Sequence, residues 1–418
     1  MAMPTLRSTA LRRGLAACSR AADLHRQARP VRCFNTMAAR RDTTPDVLSD
    51  YPGLDASKLK ISKTNKPKPL LPKKDLVFGR HFTDHMLMVE WTVAEGWKTP
   101  AIVPYQNICL DPSTSVFHYG IECFEGQKAY RAADGQIRLF RCNKNMARLN
   151  KSAARLALPT FDPVELETLL RTLVRLEDRF VPNERGYSLY LRTTMIGTQP
   201  SLGIGPSNSA LLYCITCPVG PYYPTGFQAV SLEATSESVR AWPGGAGDKK
   251  LGANYAPCIM PQLMAAKRGF HQNLWLFGQD QRVTEVGAMN FFAVLVNESG
   301  QKELITPPLD GTILEGITRD SVLALARERL VPQGWAVTER YCTMPELAAA
   351  SDSGRLVEAF GVGTAAVVSP IRSIGWNGRT VTCGLEPHEE AGETAIKIKT
   401  WVEEIQYGEV PHEWSTAA

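Results

Sequence analysis

From Leu76 onward, short runs of strand-like hydrophobic periodicity alternate with helix-like runs, and clusters of Gly, Pro, Asn and Asp separate them. That alternation constrains the fold more than any other feature, because it calls for α/β layers. Strand patterns occupy residues 85–91, 136–141, 187–194 and 210–217. A helix opens at Asn143 with Met146, Leu149, Ala153 and Leu156 on one face. A second has Asp162 as N-cap, Pro163 at its first position and Glu165 closing a capping box. Leu166, Leu169, Leu170, Leu173 and Leu176 form its apolar stripe.

The Pro- and Gly-rich stretch 220–226 reads as an interdomain connection. Beyond it, strands near Ala229, Leu274, Phe292 and Leu304 alternate with helices near Pro261, Ser321 and Pro345, and Thr343 with Glu346 repeats the capping-box pattern. The chain of 418 residues is long enough for two mixed-sheet α/β (α+β) domains, each with its own core. The expected division is a leader at 1–41, an extended, exposed lead-in at 42–74, a small domain at 75–219, the connection at 220–226, and a large domain at 227–415. No apolar run reaches the length that spans a bilayer.

Charge is unevenly placed. Residues 1–41 hold nine arginines, no lysine and one acid, Asp23; this stretch carries +8 of a net +5, leaving −3 for the rest. The slightly acidic body gives no reason to expect a nucleic-acid partner. An Arg-rich, acid-poor leader has the composition of a mitochondrial transit peptide, with Arg32-Cys33-Phe34 at a cleavage-like position and Met37 as an alternative start for a cytosolic form. The ten cysteines are scattered and read as reduced thiols; Cys214 and Cys217 sit in a strand-like run and read as core.

Most motifs of catalysis and metal binding are absent: there is no P-loop, no G-x-S-x-G elbow and no H-E-x-x-H. His81 and His85 flank a strand and have no third ligand, so no metal is expected. Gly361-Val362-Gly363 begins like a dinucleotide loop, but Thr364-Ala365-Ala366 breaks the spacing. The informative stretch runs from Ser238 to Tyr255, where Lys249 and Lys250 stand among glycines ahead of a helix near Asn254. A neutral amine held there can bond an aldehyde cofactor, although a Gly-rich loop with lysines is ordinarily a solvated turn.

This stretch resembles the cofactor-lysine segment of the branched-chain aminotransferases, which belong to the fold type IV class of pyridoxal-phosphate enzymes. The similarity continues in order through Phe78-Gly79-Arg80, Thr83-Asp84-His85-Met86, Phe124-Glu125-Gly126, Thr284-Glu285-Val286-Gly287, Leu309 to Arg319, Phe360 to Ala365 and Glu404-Ile405-Gln406-Tyr407-Gly408. It implies a site at the interface of two mixed-sheet domains, pyridoxal 5'-phosphate as cofactor, and a homodimer. Its implied reaction is exchange of the amino group of L-leucine, L-isoleucine and L-valine with 2-oxoglutarate.

Carried over position by position, the resemblance makes Lys250, which directly precedes Leu251-Gly252, the covalent lysine. Glu285 would hold the pyridine nitrogen, Tyr255 the phenolic oxygen, and Leu314 one face of the ring. Arg148, the amides of Ile317 and Thr318, and the Thr364 hydroxyl would hold the phosphate, with Arg240 and Arg192 in supporting roles. Phe78, Phe124, Tyr190 and Met289 would line the substrate pocket. Tyr119, Leu202 and Ile204 would come from a second chain, and Tyr255 and the Ala365 amide would meet the substrate carboxylate. Two departures stand out. Ala288 replaces a hydroxyl side chain, a change worth ~1 kcal/mol for one hydrogen bond. Ala366 and Ser369 replace a redox C-x-x-C, so no thiol switch is expected there.

Overall fold

The computed structural model describes residues 52–221 and 227–418. The basic leader with Met37, the start of the lead-in and residues 222–226 of the connection lie outside the described residues.

The first sheet holds β1 (Lys60–Ile61), β2 (His85–Thr92), β3 (Gly96–Trp97), β4 (Ala101–Pro104), β5 (Glu122–Arg131), β6 (Ile137–Phe140), β7 (Ser188–Gly197) and β8 (Ser209–Val219). The second holds β9 (Val230–Thr235), β10 (Gln272–Phe277), β11 (Arg282–Val286), β12 (Met289–Val296), β13 (Lys302–Thr306), β14 (Ala336–Glu339), β15 (Leu356–Gly363), β16 (Val367–Trp376) and β17 (Arg379–Thr382). The final strand described, β18 (Ser415–Ala417), returns to the first sheet and pairs with β6.

The first sheet runs β1-β4-β2-β8-β7-β5-β6-β18, with β3 beside β2; the second runs β11-β10-β9-β16-β15-β12-β13-β14, with β17 beside β16. Both are mixed. β1 lies parallel to β4, and β9 lies parallel to both β10 and β16, while the long central pairs are antiparallel.

Side chains on successive residues of a strand point to opposite faces. On β7, Leu189, Leu191 and Met195 join the core that holds α2 (Cys142–Arg155) and α3 (Pro163–Leu176), whereas Tyr190 joins Cys217, Val219 and Phe78 on the other face. Cys214 belongs to the first cluster and Cys217 to the second, so this C-x-x-C pair faces two different ways and both thiols are free. In the second sheet, Phe291 and Ala293 of β12 face α6 (Met344–Asp352). Phe292 and Val294 face α5 (Ile317–Arg329) and α7 (Glu393–Gln406). Tyr130 and Phe140 from the first sheet enter that same cluster, and this binds the two sheets together.

The helices follow their sequence signals, with one correction. Asp162 accepts from Val164 N–H at 2.8 Å, and Leu166, Leu169, Leu170 and Leu173 are fully buried, each worth roughly 1.5–3 kcal/mol. Glu165 does not close a capping box; its carboxylate instead accepts from the Ala56 amide at 2.6 Å. That contact anchors a lead-in that is otherwise mostly exposed, as its composition suggested. Leu54 is buried in the core, β1 adds an edge strand, and His85 Nε2 accepts from Thr64 N–H at 2.9 Å. The His85 Nδ1 side is taken by Glu177, a buried packed pair, while His81 is exposed. The central strand β5 gave no clear strand signal, because Glu122, Glu125, Gln127 and Lys128 interrupt its apolar pattern.

Candidate active site

A cavity of about 420 Å³ opens between the cavity-facing side of β5 and β7 and the loops that follow β9, β13 and β15. Phe124 and Gly126 of β5 and Tyr190 and Arg192 of β7 share one sheet face, since Lys128 pairs with Tyr190 and Gly126 with Arg192 in register. Gly126 is required there. A Cβ on it would stand 2.1 Å from the Tyr190 hydroxyl, which lies over the bare backbone. Phe78 packs edge-on against Tyr190, ring centres 4.9 Å apart, and completes this wall.

Lys250 lies beside the start of β5 and is held by its backbone. Its N–H donates to Ser152 Oγ of α2 at 2.9 Å, its carbonyl accepts from Phe124 N–H at 3.0 Å, and Leu251 bridges to Cys123. The side chain then projects into the cavity, where Nζ donates to Tyr255 Oη at 3.1 Å. Lys249 turns the other way, to Asp248 at 2.6 Å. The glycines around it serve the loop's own packing: a Cβ on Gly247 would meet Ala241 and the Thr312 carbonyl, and one on Gly252 would meet Glu122.

Across the cavity, Glu285 of β11 is buried, and its Oε1 accepts from Leu314 N–H at 3.2 Å and Asn290 Nδ2 at 3.3 Å. Arg240 Nε stands 2.6 Å from Oε2 as an ion pair, yet that oxygen receives no well-aligned hydrogen bond. Burial pushes the Glu285 carboxyl above the usual carboxylate range, with Arg240, the Leu314 amide and Lys250 pulling it back. Asn290 also donates to the Leu314 carbonyl at 2.9 Å, tying the acid to the loop that covers it.

Arg148 is buried rather than an exposed helix arginine. Its Nε and Nη2 donate to the two oxygens of Glu125 at 2.7 and 2.9 Å, and Nη1 donates to the Glu315 carbonyl at 2.9 Å. Burial works against its charge, but Glu125 more than restores it, so its pKa lies above the ordinary arginine value. Ile317 and Thr318 are the first two residues of α5, where backbone amides have no intrahelical acceptor, and both line the cavity.

Thr364 and Ala365 line it from the β15–β16 turn, with Leu314 and Met289 nearby. A Cβ on Gly361 or Gly363 would press on Met289, so these strand glycines make room for a pocket residue and form no dinucleotide loop. Tyr119, Leu202 and Ile204 do not reach this cavity within the chain. The Tyr119 hydroxyl bonds the Leu202 carbonyl, and Leu202 and Ile204 are 64% and 81% exposed.

Five cavity or near-cavity groups were given no role from sequence: Glu125, Asn145, Asn290, Gln272 and Lys128. Asn145 donates to Glu125 at 2.7 Å, and Lys128 Nζ donates to the Ala365 carbonyl at 2.6 Å. Gln272 lines the cavity beside Gly287 and Ala288. Glu125 lay inside the recognised Phe-Glu-Gly motif, the one available signal among the five.

Residues 122–374 match the amino-transferase class IV family. The chain is 58% identical to the mitochondrial branched-chain-amino-acid aminotransferase of Saccharomyces cerevisiae, covering 87% of this chain and 93% of that one. It belongs to the branched-chain-amino-acid aminotransferase family. The cytosolic Saccharomyces cerevisiae enzyme is 57% identical over 87% of this chain and 97% of its own length. The crystal structure of the branched-chain aminotransferase of Thermoproteus uzoniensis with norvaline is 26% identical, with a TM-score of 0.61, covering 79% of this chain and 99% of that one. The two-sheet architecture of this enzyme is therefore the fold type IV aminotransferase fold.

Proposed function

We propose that this enzyme transaminates L-leucine, L-isoleucine and L-valine with 2-oxoglutarate by a ping-pong sequence, using pyridoxal 5'-phosphate bound covalently at Lys250. The observation that carries the reading is the single cavity that joins the Lys250 amine, the Tyr255 hydroxyl, the Glu285 carboxylate and the first amides of α5. The cofactor, when bound, supplies an aldehyde for amines and a ring that draws electron density from the substrate's Cα.

The donor set fits such a group. Glu285 is a buried carboxylate on the cavity, paired with Arg240 through Oε2, and its negative charge would suit a protonated ring nitrogen. The amides of Ile317 and Thr318, the Thr364 hydroxyl and Arg148 suit a phosphate monoester. Lys250 would be the amine that takes and returns the proton at the substrate's Cα. Tyr255 bonds that amine and, with the Ala365 amide, would hold the substrate carboxylate; Leu314 would pack against the ring.

Phe78, Phe124, Tyr190 and Met289 exclude water around a branched aliphatic side chain. Arg192 supports the reading that the same pocket takes 2-oxoglutarate. Its guanidinium lies 4.6 Å from the Phe124 ring, bonds the Tyr190 hydroxyl at 2.9 Å, and has a buried Nε with no partner. It thus offers charge to a γ-carboxylate while presenting a flat face to an aliphatic chain.

The same reading places the enzyme in the mitochondrion through residues 1–41. It divides the chain into a small domain at 75–219 and a large one at 227–415, joined through 220–226. In a homodimer, the exposed Tyr119, Leu202 and Ile204 complete the pocket of the second copy. The deciding experiment is a single half-reaction with the purified, cofactor-loaded enzyme. L-Leucine alone is expected to release one equivalent of its 2-oxo acid per site and bleach the bound cofactor's visible band, with 2-oxoglutarate restoring it. No 2-oxo acid without 2-oxoglutarate would sink the ping-pong order. An unchanged band with L-leucine would sink the substrate assignment, and turnover by Lys250→Ala the site.

A further inference from the structure

The phosphate end of the cavity is assembled from two helices that start in different parts of the fold. α2 follows β6 of the first sheet and carries Asn145 and Arg148, whereas α5 follows β13 of the second sheet and presents the Ile317 and Thr318 amides. One residue touches the beginnings of both. Arg141, the N-cap residue of α2, has φ 51° and ψ 40°, a left-handed conformation that residues with a Cβ rarely adopt. It is buried, and its N–H donates to the Trp414 carbonyl at 2.7 Å while its guanidinium lies 4.2 Å from the Trp414 ring centre.

This posture aims the guanidinium at the first turns of α5. Nη1 donates to Ser321 Oγ at 2.7 Å, and Ser321 Oγ in turn donates to the carbonyl of Ile317 at 2.8 Å. Nη2 pairs with Asp320 at 2.5 Å. Asp320 is the acidic residue of that first turn. Its charge suits the helix dipole but repels any anion bound at the same end.

We infer that Arg141 is a positioning residue for the cofactor's phosphate: it fixes α5 against α2 and cancels the Asp320 charge beside the anion-binding amides. This rests on the assignment of the phosphate to the α5 N-terminus. Arg141 does not line the cavity, so its effect passes through Asp320, Ser321 and Ile317. It is confined to the phosphate. The ring end, held by Glu285, Asn290 and Tyr255, has no contact with Arg141 or Trp414 among the described hydrogen bonds.

The test compares pyridoxamine 5'-phosphate with pyridoxamine, which lacks the phosphate, by titration into cofactor-free enzyme. Arg141→Gly keeps the left-handed backbone without strain and removes the guanidinium; Arg141→Lys keeps a charge without the fork. The expected result is at least a tenfold loss of affinity for the phosphorylated ligand in the glycine variant and about threefold in the lysine variant, with pyridoxamine within twofold of wild type. Adding Asp320→Asn to Arg141→Gly is expected to recover part of the loss. Equal weakening of both ligands, or of neither, overturns the inference, and the lysine variant decides if the glycine variant does not fold. A wild-type enzyme that binds the two ligands equally would instead refute the phosphate assignment itself.

Discussion

The Glu125–Arg148 pair is a strong structural commitment of this site, and Glu125→Gln tests it. Both partners are buried, the guanidinium uses two nitrogens on the two carboxylate oxygens, and Asn145 adds a third donor. A glutamine keeps the shape but offers one acceptor oxygen where four donors converge, since the Gly126 amide also bonds this carboxylate, and it leaves a buried cation uncompensated. Breaking such a pair from one side costs ~3–5 kcal/mol. We expect about 3 kcal/mol lost from the cofactor-free enzyme, read from urea unfolding. A bound phosphate would return negative charge beside Arg148. In saturating pyridoxamine 5'-phosphate the loss is therefore expected to shrink to about 1–2 kcal/mol, equivalent by linkage to roughly tenfold tighter binding of that ligand by the variant. A loss below about 1 kcal/mol in the cofactor-free enzyme would show that Glu125 is not what holds Arg148 in place. Equal losses with and without the ligand would show that Arg148 does not face the phosphate.

Gly126→Ala puts a methyl group 2.1 Å from the Tyr190 hydroxyl, so the ring of this pocket residue must shift. KM for L-leucine is expected to rise about tenfold, with the bound cofactor's spectrum unchanged. Burial pulls the Lys128 amine down to about 8 from its ordinary value near 10.5, against the pull of Glu403 and with Lys399 reinforcing it. The folded state thus disfavours the protonated amine, a penalty fully present below pH 8 and relieved as pH rises toward 10.5. Wild-type stability relative to Lys128→Met is expected to climb by up to about 3 kcal/mol across that window in pH-dependent urea unfolding; a flat difference would refute it. Burial pushes Cys214, Cys342 and Cys383 up to about 12, while Cys109 is exposed. Brief maleimide treatment of the native enzyme followed by peptide mass mapping should therefore label Cys109 and leave those three unmodified.

Where burial is one-sided and apolar, periodicity was enough to read the fold. The stripe of α3, the Met146–Leu149–Ala153 face of α2, and strands β2, β7 and β8 lie within a few residues of their sequence expectations. The lead-in is mostly exposed, as its composition suggested, but its anchors are hidden: Ala56 bonds Glu165 of α3, about 110 residues away in sequence, and Leu54 joins the core, contacts no local pattern displays. The reach of β18 back to β6 is hidden for the same reason.

The failure at β5 is of another kind, and it also explains what was missed in the site. A strand is recognised by apolar alternation, but β5 is central to the first sheet and also borders the cavity, so its buried positions carry Glu125, Gln127 and Lys128. Each of the two charges is tolerable only because a distant group meets it, Arg148 for Glu125 and the Ala365 carbonyl, 237 residues on, for Lys128. Those polar residues therefore mask the strand in the sequence, and once folded Glu125 supports Arg148 while Lys128 supports the turn bearing Thr364 and Ala365. Lys250, Tyr255 and Glu285 were legible because a family motif surrounds them. Glu125, Lys128, Asn290 and Arg141 were not, because their meaning lies in pairings that exist only after two sheets have closed on each other. In such a site the residues that hold the machinery are found by asking which buried polar group would be left alone without its partner.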